Sequence, residues 1–158
     1  HSVTIKNLTP NKTYKFNIYS GSTLFPTNYS VTTFNKTNSD STTGIIFGQV
    51  FAKSGVNVQQ KGLLIANFTY GSENSQIIGS TINETGGYQL NIAGLKTNDG
   101  NNIFNINRVV DIALTIYSDQ LSEPIIKRYS YNINNQKQIP NIYLGDINID
   151  VIPGVVGE

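Results

Sequence analysis

The sequence contains no cysteine, no methionine and no tryptophan, and its single histidine is His1. Without cysteine there is no disulfide, no thiolate nucleophile and no zinc–thiolate site. One imidazole gives no basis for a histidine-centred triad, and His1 has no second ring opposite it with which to hold copper. Without methionine, His1 is not a translation start, so the chain is expected to be cut from, or part of, a longer precursor. Charge is scarce too: 13% of residues are Asp, Glu, Lys or Arg, about half the usual share. The net charge is +1 with no basic run, so neither nucleic acid nor an anionic surface has a field to recognise. No apolar run reaches about 18 residues, the length that a membrane-spanning helix needs.

Asn, Ser, Thr and Gly occupy the space that charge leaves. A polar, nearly uncharged surface suits packing against copies of the chain or against glycans, and with the β-rich pattern below it points to secretion and an extracellular or cell-surface location. Six asparagines stand in Asn-x-Ser/Thr triplets: Asn7, Asn11, Asn28, Asn35, Asn67 and Asn83. They are the candidate N-glycosylation acceptors of a glycoprotein.

The stretch 43–92 organises the rest. Ile46, Gly48 and Val50 alternate, as do Tyr88, Leu90 and Ile92, the period-2 signal of half-buried strands. Gly86-Gly87 provides a turn that tolerates positive φ. Strands are predicted near 44–53, 62–70, 76–82, 87–92, 108–117, 124–133 and 139–149, with Val110, Ile112, Leu114 and Ile116 turned inward. Seven strands in about a hundred residues imply an antiparallel β-sandwich. The fold class is thus all-β, with one complete domain over 44–149. Ile46-x-Gly48-x-Val50 followed by Thr85-Gly86-Gly87-Tyr88-Gln89-Leu90-Asn91-Ile92 resembles the carboxypeptidase regulatory-like, transthyretin-like group of Ig-like sandwiches. In that group the later turn reads Asp-x-x-Gly-x-Tyr; here Asn83 stands at the place of the acid. The resemblance implies a module of a prokaryotic surface protein.

Residues 1–34 read as three short strands, around Val3–Ile5, Tyr14–Ile18 and Tyr29–Phe34, with a loop through Gly21, Ser22 and Pro26. Three strands are too few to enclose a core. Leu8-x-Pro10-x-x-x-Tyr14 resembles the later strands of a fibronectin type III domain, which implies a leucine under the sheet and a tyrosine at the strand corner. The strands of that domain's first half have no counterpart here. The 1–34 segment is therefore expected to be a partial fibronectin type III-like sheet, completed by another segment or subunit. Residues 35–43 are polar throughout and read as a linker. The end of the chain, from Asp146 to Val156, alternates apolar residues beyond the expected sandwich, so 150–158 is an apolar tail or linker.

Candidate sites are few. The Asp40, Asp99, Glu73 and Glu84 carboxylates fall in predicted turns, with no pair placed across a cleft as glycoside hydrolysis requires. No catalytic or cofactor-binding residue emerges. Asn98 and Asp99 offer hard oxygens in an Asn-Gly turn and are weak calcium candidates, with Asp111 or Asp119 as extra ligands. Lys53, Asn141 and Asp111 are the residue types of an intramolecular isopeptide bond. Among nine tyrosines, Tyr70, Tyr117, Tyr129, Tyr131 and Tyr143 are expected to point outward, toward sugars or a subunit interface. The reading is a non-enzymatic extracellular structural protein: a segment of a modular surface protein or a filament subunit, self-associating head to tail by strand complementation, or held by neighbouring modules. The alternative is a carbohydrate-binding or adhesin module of a larger surface protein or enzyme.

Overall fold

A computed structural model describes residues 3, 5–34, 44–132 and 137–145, with only the backbone of Pro26 and Thr27. The expected linker 35–43, the tail 150–158, His1 and Asn35 lie outside the described residues. The chain divides into two compact units, His1–Asn38 and Ser39–Glu158.

In the first unit β1 (Thr13–Ser20) and β2 (Thr23–Thr32) form an antiparallel hairpin. The turn between them uses Gly21 at φ 60°, where a side chain would be strained. Two of the sequence expectations change here. Val3 and Ile5 form no strand and stay 82% and 62% exposed; two alternating residues carry too little apolar surface to hold a strand in place. Pro26 falls inside β2 rather than in a loop. The register passes from Phe16–Tyr29 to Ile18–Phe25, so a bulge on β2 surrounds Pro26. A bulge is where a missing N–H costs the ladder least.

The second unit holds eight described strands: β3 (Ile45–Phe51), β4 (Gly62–Tyr70), β5 (Glu73–Asn74), β6 (Ile78–Ile82), β7 (Gly87–Asn91), β8 (Val109–Tyr117), β9 (Ile125–Asn132) and β10 (Ile142–Tyr143). One sheet runs β10-β3-β7. The other runs β5-β4-β8-β9, with β6 also on β4. Among the described residues of this unit every strand pairing is antiparallel except β10 on β3. The parallel contact extends back to a bridge between Phe47 and Gln138, so the last described segment lies along the first strand of the unit.

Alternation drives the two sheets together. β8 reads exposed and buried in turn, with Val110, Ile112, Leu114 and Ile116 inside, as predicted. Ile46 and Val50 from β3, Leu90 from β7 and Ile142 from β10 meet Leu64, Ala66 and Phe68 from β4 in a single core. Side chains from both sheets thus fill one interior, the arrangement of a β-sandwich. Tyr131 departs from its expected outward position: it is 3% exposed, and Tyr129 packs against the core. Register explains both, because Tyr131 pairs with Val110 and Tyr129 with Ile112. Cross-strand partners share a face, so neighbours of core residues point inward too.

Candidate interaction surface and polar cleft

The hairpin of the first unit is amphipathic. Pairing sets Tyr14 beside Val31, Phe16 beside Tyr29 and Ile18 beside Phe25, so these six side chains share one face. The Phe16 and Tyr29 rings stack at 5.5 Å between centroids. The other face carries Thr13, Lys15, Ser30 and Thr32, with Thr13 and Thr32 hydrogen-bonded across the strands at 2.7 Å. On the apolar face Phe16, Ile18, Phe25 and Val31 remain 38%, 41%, 45% and 48% exposed. At the entrance to β1, the Thr9 amide donates to the Tyr14 hydroxyl at 2.8 Å. Hydrogen bonds from Thr9 hold that phenol below its ordinary pKa, with a smaller contribution from the Lys12 charge. The Thr33 hydroxyl donates to the Thr9 carbonyl at 2.6 Å and accepts from the Lys12 amide at 3.0 Å, tying the corner to the end of β2.

The second unit carries a polar cleft of about 610 Å³ between the 52–61 loop and the 118–121 turn. After β3 the chain folds back: the Ala52 amide donates to the Asn57 carbonyl at 2.8 Å and the Gln59 amide to the Val50 carbonyl at 2.9 Å. This brings Gln59 beneath the loop, 2% exposed. Its Nε2 donates to the Lys61 carbonyl and, at 3.1 Å, to Asp119 Oδ1. Its Oε1 is buried without a partner. Asp119 Oδ1 also accepts from the Ser118 hydroxyl at 3.3 Å, and Gln120 Oε1 accepts from the Lys53 amide at 3.1 Å.

No family model, curated protein or solved structure matches this chain significantly.

The residues singled out from the sequence scatter over the two units. Asp99 accepts from the Thr97 hydroxyl, the Asn101 amide at 3.0 Å and the Asn101 side chain at 3.0 Å. The Thr97 hydroxyl, then the Asn101 amide, hold its carboxyl below the usual range. Its oxygens therefore serve the turn, and among the described residues no group of three or more His, Cys, Asp or Glu is placed to hold a metal. Asn98 is exposed beside it. Lys53, Asn141 and Asp111 are all exposed and do not converge. Asp111 lies on β8, bonded to the Ser130 hydroxyl of β9, whereas Asn141 precedes β10 and Lys53 follows β3 in the other sheet.

Of the glycosylation candidates, Asn7, Asn11, Asn28 and Asn83 are exposed, the first two in left-handed conformation at φ 61° and 53°. Asn67 is half-buried on β4 and donates to the Ser75 carbonyl at 3.0 Å. Tyr70 and Tyr117 are exposed as expected, whereas Tyr143 is half-buried and stacks on Phe51 at 5.0 Å. Sequence reasoning missed Gln59. A glutamine in a polar loop carries no periodicity, and only the fold-back onto Val50 buries it.

Proposed function

We propose that this chain is a non-enzymatic structural segment of an extracellular modular protein or filament subunit, with the β1–β2 face covered by strands from another segment or subunit. The observation that carries the reading is that face of six apolar and aromatic side chains, four of them more than a third exposed. A two-stranded hairpin is at best marginal alone in water. Each Å² of apolar surface left wet forgoes about 25 cal/mol, so a covering layer is strongly favoured. A backbone amide five residues upstream bonded to the Tyr14 hydroxyl is the kind of contact made by the tyrosine corner of Ig-like sandwiches, which supports the fibronectin type III resemblance of this segment. Strand addition supplies backbone bonds and side-chain pockets together. If the donor is another copy, the contact is heterologous and propagates into a filament unless its rotation closes. The exposed Asn-x-Ser/Thr sites suit a glycosylated outer surface.

Imaging and mass analysis of the native material, with hydrogen exchange on the same sample, tests this. Filaments, or a longer polypeptide, with the β1 and β2 edge amides protected are expected. A free monomer whose hairpin amides exchange at unprotected rates would refute the proposal.

A further inference from the structure

We infer that the cleft between the 52–61 loop and the 118–121 turn is a binding site for a neutral saccharide. The inference is independent of the assembly proposed above, because the cleft belongs wholly to the second unit. Its volume of about 610 Å³ lies in the range of small-ligand sites. Its chemistry is neither apolar nor of one charge: Lys61 and Asp119 balance, and Ser54, Asn57, Gln59 and Gln120 supply hydroxyl and amide groups. Each sugar hydroxyl donates and accepts at one atom, so it needs acceptors and donors side by side. Asp119 with Lys61 and Asn57 gives that combination.

Two details separate this cleft from a mere polar dent. Gln59, 98% buried by its 2% exposure, contributes a side-chain carbonyl with no hydrogen-bond donor. A buried acceptor left without a donor is unfavourable, and Gln59 lines the cleft, so a ligand hydroxyl donating to it would relieve that cost. The same glutamine donates through Nε2 to Asp119 Oδ1 at 3.1 Å, and the Ser118 hydroxyl donates to that oxygen at 3.3 Å. Both bonds end on Oδ1, and Asp119 itself is exposed. A carboxylate fixed in this way has already lost its rotamer freedom, so binding does not repeat that cost.

The test is a titration of the full chain by ¹H–¹⁵N NMR with maltotriose, cellotriose and mannotriose, and with a Ser/Thr/Asn-rich pentapeptide as a competing chemistry. Saturable shifts of the Asn57 and Gln59 side-chain amides are expected with at least one trisaccharide. Asp119→Asn should weaken that binding at least tenfold while leaving the melting temperature within a degree or two, since Asp119 is exposed. A second variant, Lys61→Ala, should weaken it as well. The inference is overturned if no trisaccharide shifts these amides. It is equally overturned if binding survives both substitutions, if shifts gather at Tyr70 or Tyr117 instead, or if only the peptide binds.

Discussion

Gly48 lies directly under the phenol of Tyr88: the two are register partners on β3 and β7, and a Cβ on Gly48 would stand 2.5 Å from the Tyr88 hydroxyl and 2.7 Å from its ring. Gly-x-Val and Gly-x-Tyr, forty residues apart, therefore meet as one cross-strand pair. The ring covers the backbone that the glycine leaves bare. The Tyr88 ring is 2% exposed, so it has no open space into which to retreat. Gly48→Ala is expected to destabilise the second unit by about 1–3 kcal/mol, the usual cost of overpacking. Denaturant unfolding measures it, and an unchanged midpoint would show that the ring moves freely.

Tyr88 carries a second consequence. Its hydroxyl is buried without a partner, and burial, followed by the neighbouring Tyr129 and Tyr131, pushes its pKa well above the ordinary value. Burial pushes Tyr131 up to about 12, while its hydroxyl donates to the Gln138 carbonyl. A phenol whose folded pKa is raised binds its proton more tightly in the folded chain than in the unfolded one. Its contribution is complete below the unfolded value of 10.0 and is lost as pH rises through the folded value. Stability should thus fall between pH about 10 and 12. Tyr88→Phe removes the orphan hydroxyl and is expected to be neutral or stabilising by about 1 kcal/mol at pH 7. It should also make the alkaline loss shallower. Unfolding midpoints at pH 8, 10 and 11 for both proteins check this.

Asn83 organises the turn before β7. Its Oδ1 accepts from the Thr85 amide at 3.0 Å, the Thr85 hydroxyl at 2.8 Å and the Gly87 amide at 2.8 Å. Every one of these bonds ends on a single oxygen, which an aspartate also possesses, so an acid at this position could hold the same turn. Asn83→Asp should keep the unfolding midpoint within about 0.5 kcal/mol of the original, whereas Asn83→Ala should cost about 1–2 kcal/mol through orphaned turn amides. Equal losses in both variants would mean that the Nδ2 group matters more than the oxygen.

The second unit was largely legible because its strands alternate. Val110 to Ile116 and Ile46 to Val50 announce their buried faces without help. Tyr129 and Tyr131 are ambiguous in the sequence because a tyrosine is at home on either face, and only pairing with Ile112 and Val110 decides which. The two-residue β5 was invisible for want of length. Its Glu73 is located by a long-range partner, Arg108, thirty-five residues away. The polar cleft was hidden for the same reason, since it joins a loop and a turn that no local pattern connects.

Arg108 engages both Glu73 of β5 and the Tyr70 ring. Its guanidinium lies 3.6 Å from the Tyr70 ring centroid and pairs with Glu73. With side chains 25% and 36% exposed, the ion pair is screened and contributes at most about 1 kcal/mol. The stacked guanidinium adds about 0.5–1 kcal/mol by attraction to the ring face. Arg108→Lys preserves the charge but loses the plane, so it separates the two. The loss from Arg108→Lys should persist in about 1 M salt, where exposed charge interactions are screened within about 3 Å. The loss from Glu73→Gln should shrink under the same conditions. A double-mutant cycle at low and high salt reads both contributions, and an Arg108→Lys effect that vanishes in salt would assign the role of Arg108 to its charge alone.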